Sequence, residues 1–188
     1  MISHKKVSFS ILGFTLIELL ITIAIVGIIA VVAFVALDPA RRFAEARNAT
    51  RWTDVAAILD AVKLFQVDRS GAFPWTPAQV TAGTNVYMIG TCTIAQCAAK
   101  ICAAGAITAG FAGVPLSDLT GGTPAYLASI PTNQPTAGTA AWNSGTTLGA
   151  SGYYLTQQLN GGTRIGSCDA DDPDGAGALP APAITITK

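Results

Sequence analysis

One carboxylate stands inside a membrane-length apolar stretch: Glu18, near the head of a run that carries no other charge as far as Leu37. A charged side chain at a bilayer centre costs about 2.5–3.5 kcal/mol on insertion scales, so Glu18 asks for a partner or a purpose. Four cysteines form a second constellation, Cys92, Cys97, Cys102 and Cys168. The first three have four residues between each pair of neighbours and lack the CxxC knuckles of zinc sites, which favours disulfides in an oxidising compartment over a metal. Three connectivities are open. Pairing of Cys168 with one of the earlier three is preferred, because a long closure restricts the unfolded chain more than a short one. A third group, Asp169, Asp171, Asp172 and Asp174 with Gly175, places hard oxygen ligands in one loop and suits calcium. Pro173 falls where an EF-hand-like loop wants a ligand and no Glu closes it, so a solvated acidic turn competes with the calcium site and is preferred to it.

Other chemistry is excluded by what is missing. The only histidine is His4, at the extreme amino end, so Ser-His-Asp and Cys-His catalysis lack their usual base and imidazole metal sites are absent from the rest. The chain is therefore read as having no enzymatic activity. Eleven Lys and Arg balance eleven Asp and Glu, and nothing in that balance predicts nucleic-acid binding. Only 12% of residues are charged, while 19 Gly and 10 Pro gather mostly beyond residue 71, which suits an exported, polar-neutral surface.

The elements that must position these groups follow from periodicity. Residues 1–13 form a short basic leader with Lys5 and Lys6 and are set aside from fold reasoning. Residues 14–37 are continuously apolar; as a helix they extend about 36 Å, enough to cross a layer of about 30 Å. Leader lysines favour a cytoplasmic amino terminus, whereas Arg41, Arg42, Arg47 and Arg51 just past the span count against it. Residues 38–70 continue as an amphipathic helix, with Pro39 kinking rather than ending it. Phe43, Trp52, Val55, Ile58, Leu59, Val62 and Phe65 form its apolar face, and Arg47, Arg51, Asp54, Asp60, Lys63 and Asp68 line the others. Trp52 and Phe65 are expected in the core, and Ser70-Gly71 should stop the helix. Residues 71–188 read as a β-rich head with short strands at 86–90, 153–159, 163–168 and 184–187, and Asn160-Gly161-Gly162 marks a hairpin. The class expected is α+β: a long amino-terminal helix, transmembrane in its first half, packed against a small antiparallel sheet.

The leader lysines, Gly13, Phe14, Thr15-Leu16 and Glu18 as the fifth residue from Phe14 together resemble the type IV pilin and pseudopilin family. The resemblance is specific over about residues 5–51 and one of layout beyond. It implies a pilin-like fold, cleavage between Gly13 and Phe14 by a prepilin peptidase on the cytoplasmic side, and methylation of the new amine of Phe14. It further implies a subunit held in the inner membrane, amino terminus inward, and then extracted by an assembly platform into an extracellular or periplasmic filament of its own copies and other pilins. Glu18 lies one helical turn from Phe14, so it can neutralise the amine of its own chain or of a neighbour and thereby set the register of assembly.

Within this resemblance, a pilus subunit, a minor pilin and a pseudopilin of a type II secretion system remain open, as do adhesion, motility, DNA uptake and secretion. A membrane-tethered binding protein that never polymerises is the alternative from another class. For the basic cluster at 41–51, lipid headgroup contact, bridges between subunits and a plain solvated face all fit. Asn48-Ala49-Thr50 matches the glycosylation pattern, but its place on a helix argues against its use.

Overall fold

A computed structural model describes residues 13–98, 101–102, 105–106, 112–134, 149–168, 170–171 and 185–187. The chain divides into two compact units, Met1–Pro39 and Ala40–Lys188.

Unit one holds α1, Leu16–Leu37. Its most apolar window has a mean hydropathy of 3.1, and it is long and apolar enough to cross a membrane. A helix that is apolar on every side is buried by its surroundings or spans lipid, and no residue of α1 is buried within the chain. Its internal polar group is satisfied locally: the Thr22 hydroxyl donates to the Leu19 carbonyl at 2.8 Å. Asp38 ends α1 in the left-handed region, φ 38° and ψ 73°. A residue before proline is driven out of the right-handed helical region by the proline ring. Helical chain thus extends from Leu16 to Asp68 with an interruption at Asp38, where a continuous kinked helix is expected from sequence, and Pro39 takes the first position of the next helix.

Unit two begins its regular structure with α2, Pro39–Asp68. Ala44, Asn48, Arg51, Val55, Ile58, Leu59, Val62 and Phe65 recur at three- and four-residue spacing along its buried face. Ser70 and Gly71, both at positive φ, stop it as expected, and the Gly71 amide donates back to the Gln66 carbonyl at 2.7 Å. The sheet follows in strands β1 (Tyr87–Gly90), β4 (Ala150–Gln157), β5 (Thr163–Ser167) and β6 (Thr185–Thr187), all neighbours antiparallel and ordered β1-β4-β5-β6. Alternation sends Tyr87, Ile89, Tyr153, Leu155 and Ile165 into one core with Val55, Ile58, Leu59, Val62 and Phe65 of α2. Met88, Ala150 and Tyr154 meet Val86, Cys92, Cys97 and Cys168 in a second cluster. The class is α+β, with α2 against a small antiparallel sheet.

The expected hairpin joins β4 to β5: Gly161 takes φ 81° and the Gln158 amide donates to the Gly162 carbonyl at 2.8 Å. A short helix α3 (Ile94–Ala98), the two-residue strands β2 (Ile101–Cys102) and β3 (Gly105–Ala106), and α4 (Ser117–Thr120) complete the elements and are not evident from sequence pattern. Tyr126 folds back on α2, edge-on to Phe65 with ring centres 5.6 Å apart, and its hydroxyl donates to Asp68 at 2.9 Å.

Two expected core residues lie elsewhere. Phe65 is buried, but Trp52 is 43% exposed and Phe43 65%. Leu64 and Val67 of α2 are exposed as well.

Candidate functional site

The amino-terminal motif is organised by Thr15. Its backbone is extended, φ −80° and ψ 149°, and its hydroxyl accepts the Glu18 amide at 3.3 Å, which makes it the cap of α1. The Thr15 hydroxyl in turn donates to the Glu18 carboxylate at 3.4 Å. The first carbonyl used by the helical ladder is that of Thr15, which accepts from Leu19 at 3.2 Å. Gly13 and Phe14 precede the helix and are non-helical.

Glu18 itself is exposed, and among the described residues its carboxylate meets no cation. Nothing in the chain's own fold explains Gly13 either. Its φ is not in the left-handed region and a Cβ added there would meet nothing within 4 Å. Gly27 within α1 has the same open surroundings. Both are therefore free to answer to something outside the chain, such as a processing enzyme or a neighbouring helix.

In the head the chemistry-bearing residues converge on one buried arginine. Arg51 is fully buried; its Nε donates to Asn133 Oδ1 at 2.6 Å, Nη1 to Asp171 Oδ2 at 2.6 Å and to Asn48 Oδ1 at 2.7 Å, and Nη2 to the Gln134 carbonyl at 2.8 Å. Arg47 adds a two-pronged contact to Asp171, Nε to Oδ2 at 2.7 Å and Nη2 to Oδ1 at 2.9 Å. Asn48 closes the cluster, donating to the Asp171 carbonyl at 2.8 Å and accepting its amide at 2.9 Å. Asn133 continues it to the Ser167 hydroxyl of β5 at 3.0 Å. Burial pushes the Asp171 carboxyl up, but the hydrogen bonds from Arg47 and Arg51 and their positive charges outweigh it and hold the group below its ordinary value. Arg47 is raised in turn, chiefly by its hydrogen bond to Asp171.

This cluster corrects several expectations at once. Arg51 lies on the core-facing side of α2, not on a polar face, because a carboxylate 120 residues away supplies its partner. Asp54 likewise turns toward the sheet and accepts the Tyr153 hydroxyl at 2.5 Å; burial first, then this bond, pushes Tyr153 up. Arg41 and Arg42 remain at the surface and share Glu45 at 3.0 Å each, so half of the basic cluster is committed within the head. Asp171, offered above as a calcium ligand, has both carboxylate oxygens occupied by guanidinium groups. Asp169, Asp172 and Asp174 lie outside the described residues. Asn48 is buried with its amide fully engaged, which removes it as a glycan acceptor.

Cys92 and Cys97 are joined by a disulfide, and Cys168 is disulfide-bonded as well. Cys92, Cys97 and Cys168 all pack in one cluster with Met88 and Tyr154. The side chain of Cys102 lies outside the described residues.

The capping by Thr15 and the clustering around Arg51 are arrangements that the sequence reading does not anticipate. A signal for the first exists, since Thr15-Leu16-Ile17-Glu18 fits the S/T-x-x-E capping box. None exists for the second, whose members come from three distant segments.

A family model described as the prokaryotic N-terminal methylation motif matches residues 10–34. No curated protein and no solved structure matches the chain. The matched stretch contains the capped start of α1, Gly13, Phe14 and Glu18, and covers most of the apolar helix. At its amino end, then, the chain carries the cleavage and methylation signature of type IV pilins and pseudopilins, borne by a pilin-like α+β arrangement.

Proposed function

We propose that the chain is the precursor of a structural subunit of a type IV pilus-like filament, with no enzymatic activity of its own. A prepilin peptidase cleaves it between Gly13 and Phe14 and the new amine of Phe14 is methylated. The segment 14–37 then holds the subunit in the inner membrane, amino terminus on the cytoplasmic side, until an assembly platform draws it into a filament of like chains and other pilins. The filament lies outside the cell or spans the periplasm.

The observation that carries this reading is the methylation motif on a helix with no buried residue. Such a helix needs lipid first and other helices afterwards. Support comes from α2, where Phe43, Ala46, Thr50, Thr53, Ala57, Leu64 and Val67 are exposed at three- and four-residue spacing, interrupted by the single charge of Asp60. Small and apolar side chains in such a stripe allow neighbouring helices to approach. Glu18 meets the amine of Phe14 on an incoming or placed subunit, and an unpaired charge in that setting is costly enough to reject wrong register.

The experiment is Glu18→Ala in cells that carry the peptidase and the assembly machinery. Cleavage stays near wild-type, and filament number falls at least tenfold. Wild-type filament numbers in this variant would remove the assembly role. A pseudopilin or a minor pilin gives the same result and is separated by which filament system incorporates the chain.

A second reading, a tethered binding protein that does not polymerise, draws on an apolar cleft of about 560 Å³ lined by Phe73, Trp75, Val80 and Gln157. It predicts that Glu18→Ala changes nothing outside the membrane.

A further inference from the structure

We infer that Thr15 is a positioning residue for leader removal: by capping α1 it stops the helix short of the Gly13–Phe14 bond and keeps that bond extended for the peptidase. The inference rests on the proposed function and concerns the chain's own contribution to its processing.

Hydrolysis adds water to the Gly13 carbonyl carbon, breaks the bond to the Phe14 nitrogen, and leaves Gly13 as a carboxylate and Phe14 as an amine that takes up the proton. The attacked carbonyl must be open to the catalytic groups. Inside a helix it would accept the amide of the residue four places on, Ile17, and be enclosed by the first turn. In this chain the ladder begins two residues too late for that, since Thr15 supplies its first accepting carbonyl. The Thr15 hydroxyl occupies the Glu18 amide, and its extended ψ of 149° turns the preceding residues off the helical path. An apolar run has strong reason to continue as helix in lipid, where open backbone is penalised, so the stop has to be built in. Gly13 adds to it as a poor helix former.

The same contact separates the duties of two neighbouring residues. The cap uses the backbone amide of Glu18, not its carboxylate, so removing the carboxylate leaves the stop in place. Processing thus depends on the side chain of Thr15 and assembly on that of Glu18.

The test compares initial cleavage rates of the full-length precursor in membranes with its peptidase, for wild-type, Thr15→Ser, Thr15→Asn and Thr15→Val. Valine keeps the shape of threonine and removes the cap; asparagine changes the shape and keeps it. Serine and asparagine cleave at close to the wild-type rate and valine about fivefold more slowly, the factor expected for loss of one cap. Carbon chemical shifts of Gly13 and Phe14 in micelles report extended backbone in wild-type and Thr15→Asn, and helix in Thr15→Val. Cleavage of Thr15→Val at the wild-type rate overturns the inference, as does Thr15→Asn slower than Thr15→Val, which would mean that the peptidase reads side-chain shape. A wild-type precursor left uncut between Gly13 and Phe14 overturns the proposed function as well.

Discussion

Two single residues hold charges in places that disfavour them, and they resolve the problem differently. Arg51 is sealed inside the head and has every branch of its guanidinium engaged by Asp171, Asn48, Asn133 and the Gln134 carbonyl. Glu18 is left without a cation among the described residues. The first arrangement is internal and its strength is testable by deletion. Asp171→Ala leaves a buried cation without its counter-charge and lowers stability by about 3–5 kcal/mol, read from thermal unfolding of the detergent-solubilised protein. A loss under about 1 kcal/mol would mean that Arg51 is solvated or re-paired. Because the Asp171 carboxyl is held below its ordinary value, its contribution is complete above the unfolded-state value of about 3.9 and is lost as pH falls through the folded-state value. The melting temperature of wild-type therefore drops more steeply below about pH 4 than that of Asp171→Asn. Equal slopes for the two would remove Asp171 as the source.

At the scale of elements, what was legible in the sequence was whatever a local rule governs. The apolar run became α1, Ser70-Gly71 stopped α2, and Asn160-Gly161-Gly162 turned β4 into β5. All three depend on neighbours within a few positions. What was not legible depended on distant partners: Arg51 enters the core because Asp171 returns to meet it, and no periodicity of α2 alone announces that. Trp52 shows the converse. Its helical spacing and size favoured the core, yet it lies at the flank of the sheet-facing stripe and stays 43% exposed. Cys92 and Cys97 are brought together by the turn into α3, one pairing among those that the spacing of the cysteines left open. These placements separate two substitutions on one helix. Ile58→Ala, at a fully buried position, costs about 2–5 kcal/mol, whereas Trp52→Ser in the unassembled subunit stays within about 0.5 kcal/mol. Chemical denaturation of the two variants side by side checks the contrast, and equal losses would contradict the assignment of faces.

For the molecule as a whole, the two units have opposite needs. The head has a core between α2 and the sheet, acids of the helix bonded to tyrosines, and its basic residues at 47 and 51 committed internally. The apolar helix α1 has no buried residue among the described residues. The methylation motif lies over the start of this helix. The central claim is that the mature chain begins at Phe14 and leaves the membrane in a filament. Intact mass and amino-terminal sequencing of protein sheared from cells, with and without the peptidase, test it most directly. The account predicts a sheared product beginning at N-methylated Phe14 that disappears when the peptidase is absent. A chain that keeps its leader, or that is found only in the membrane fraction with the peptidase present, would contradict it.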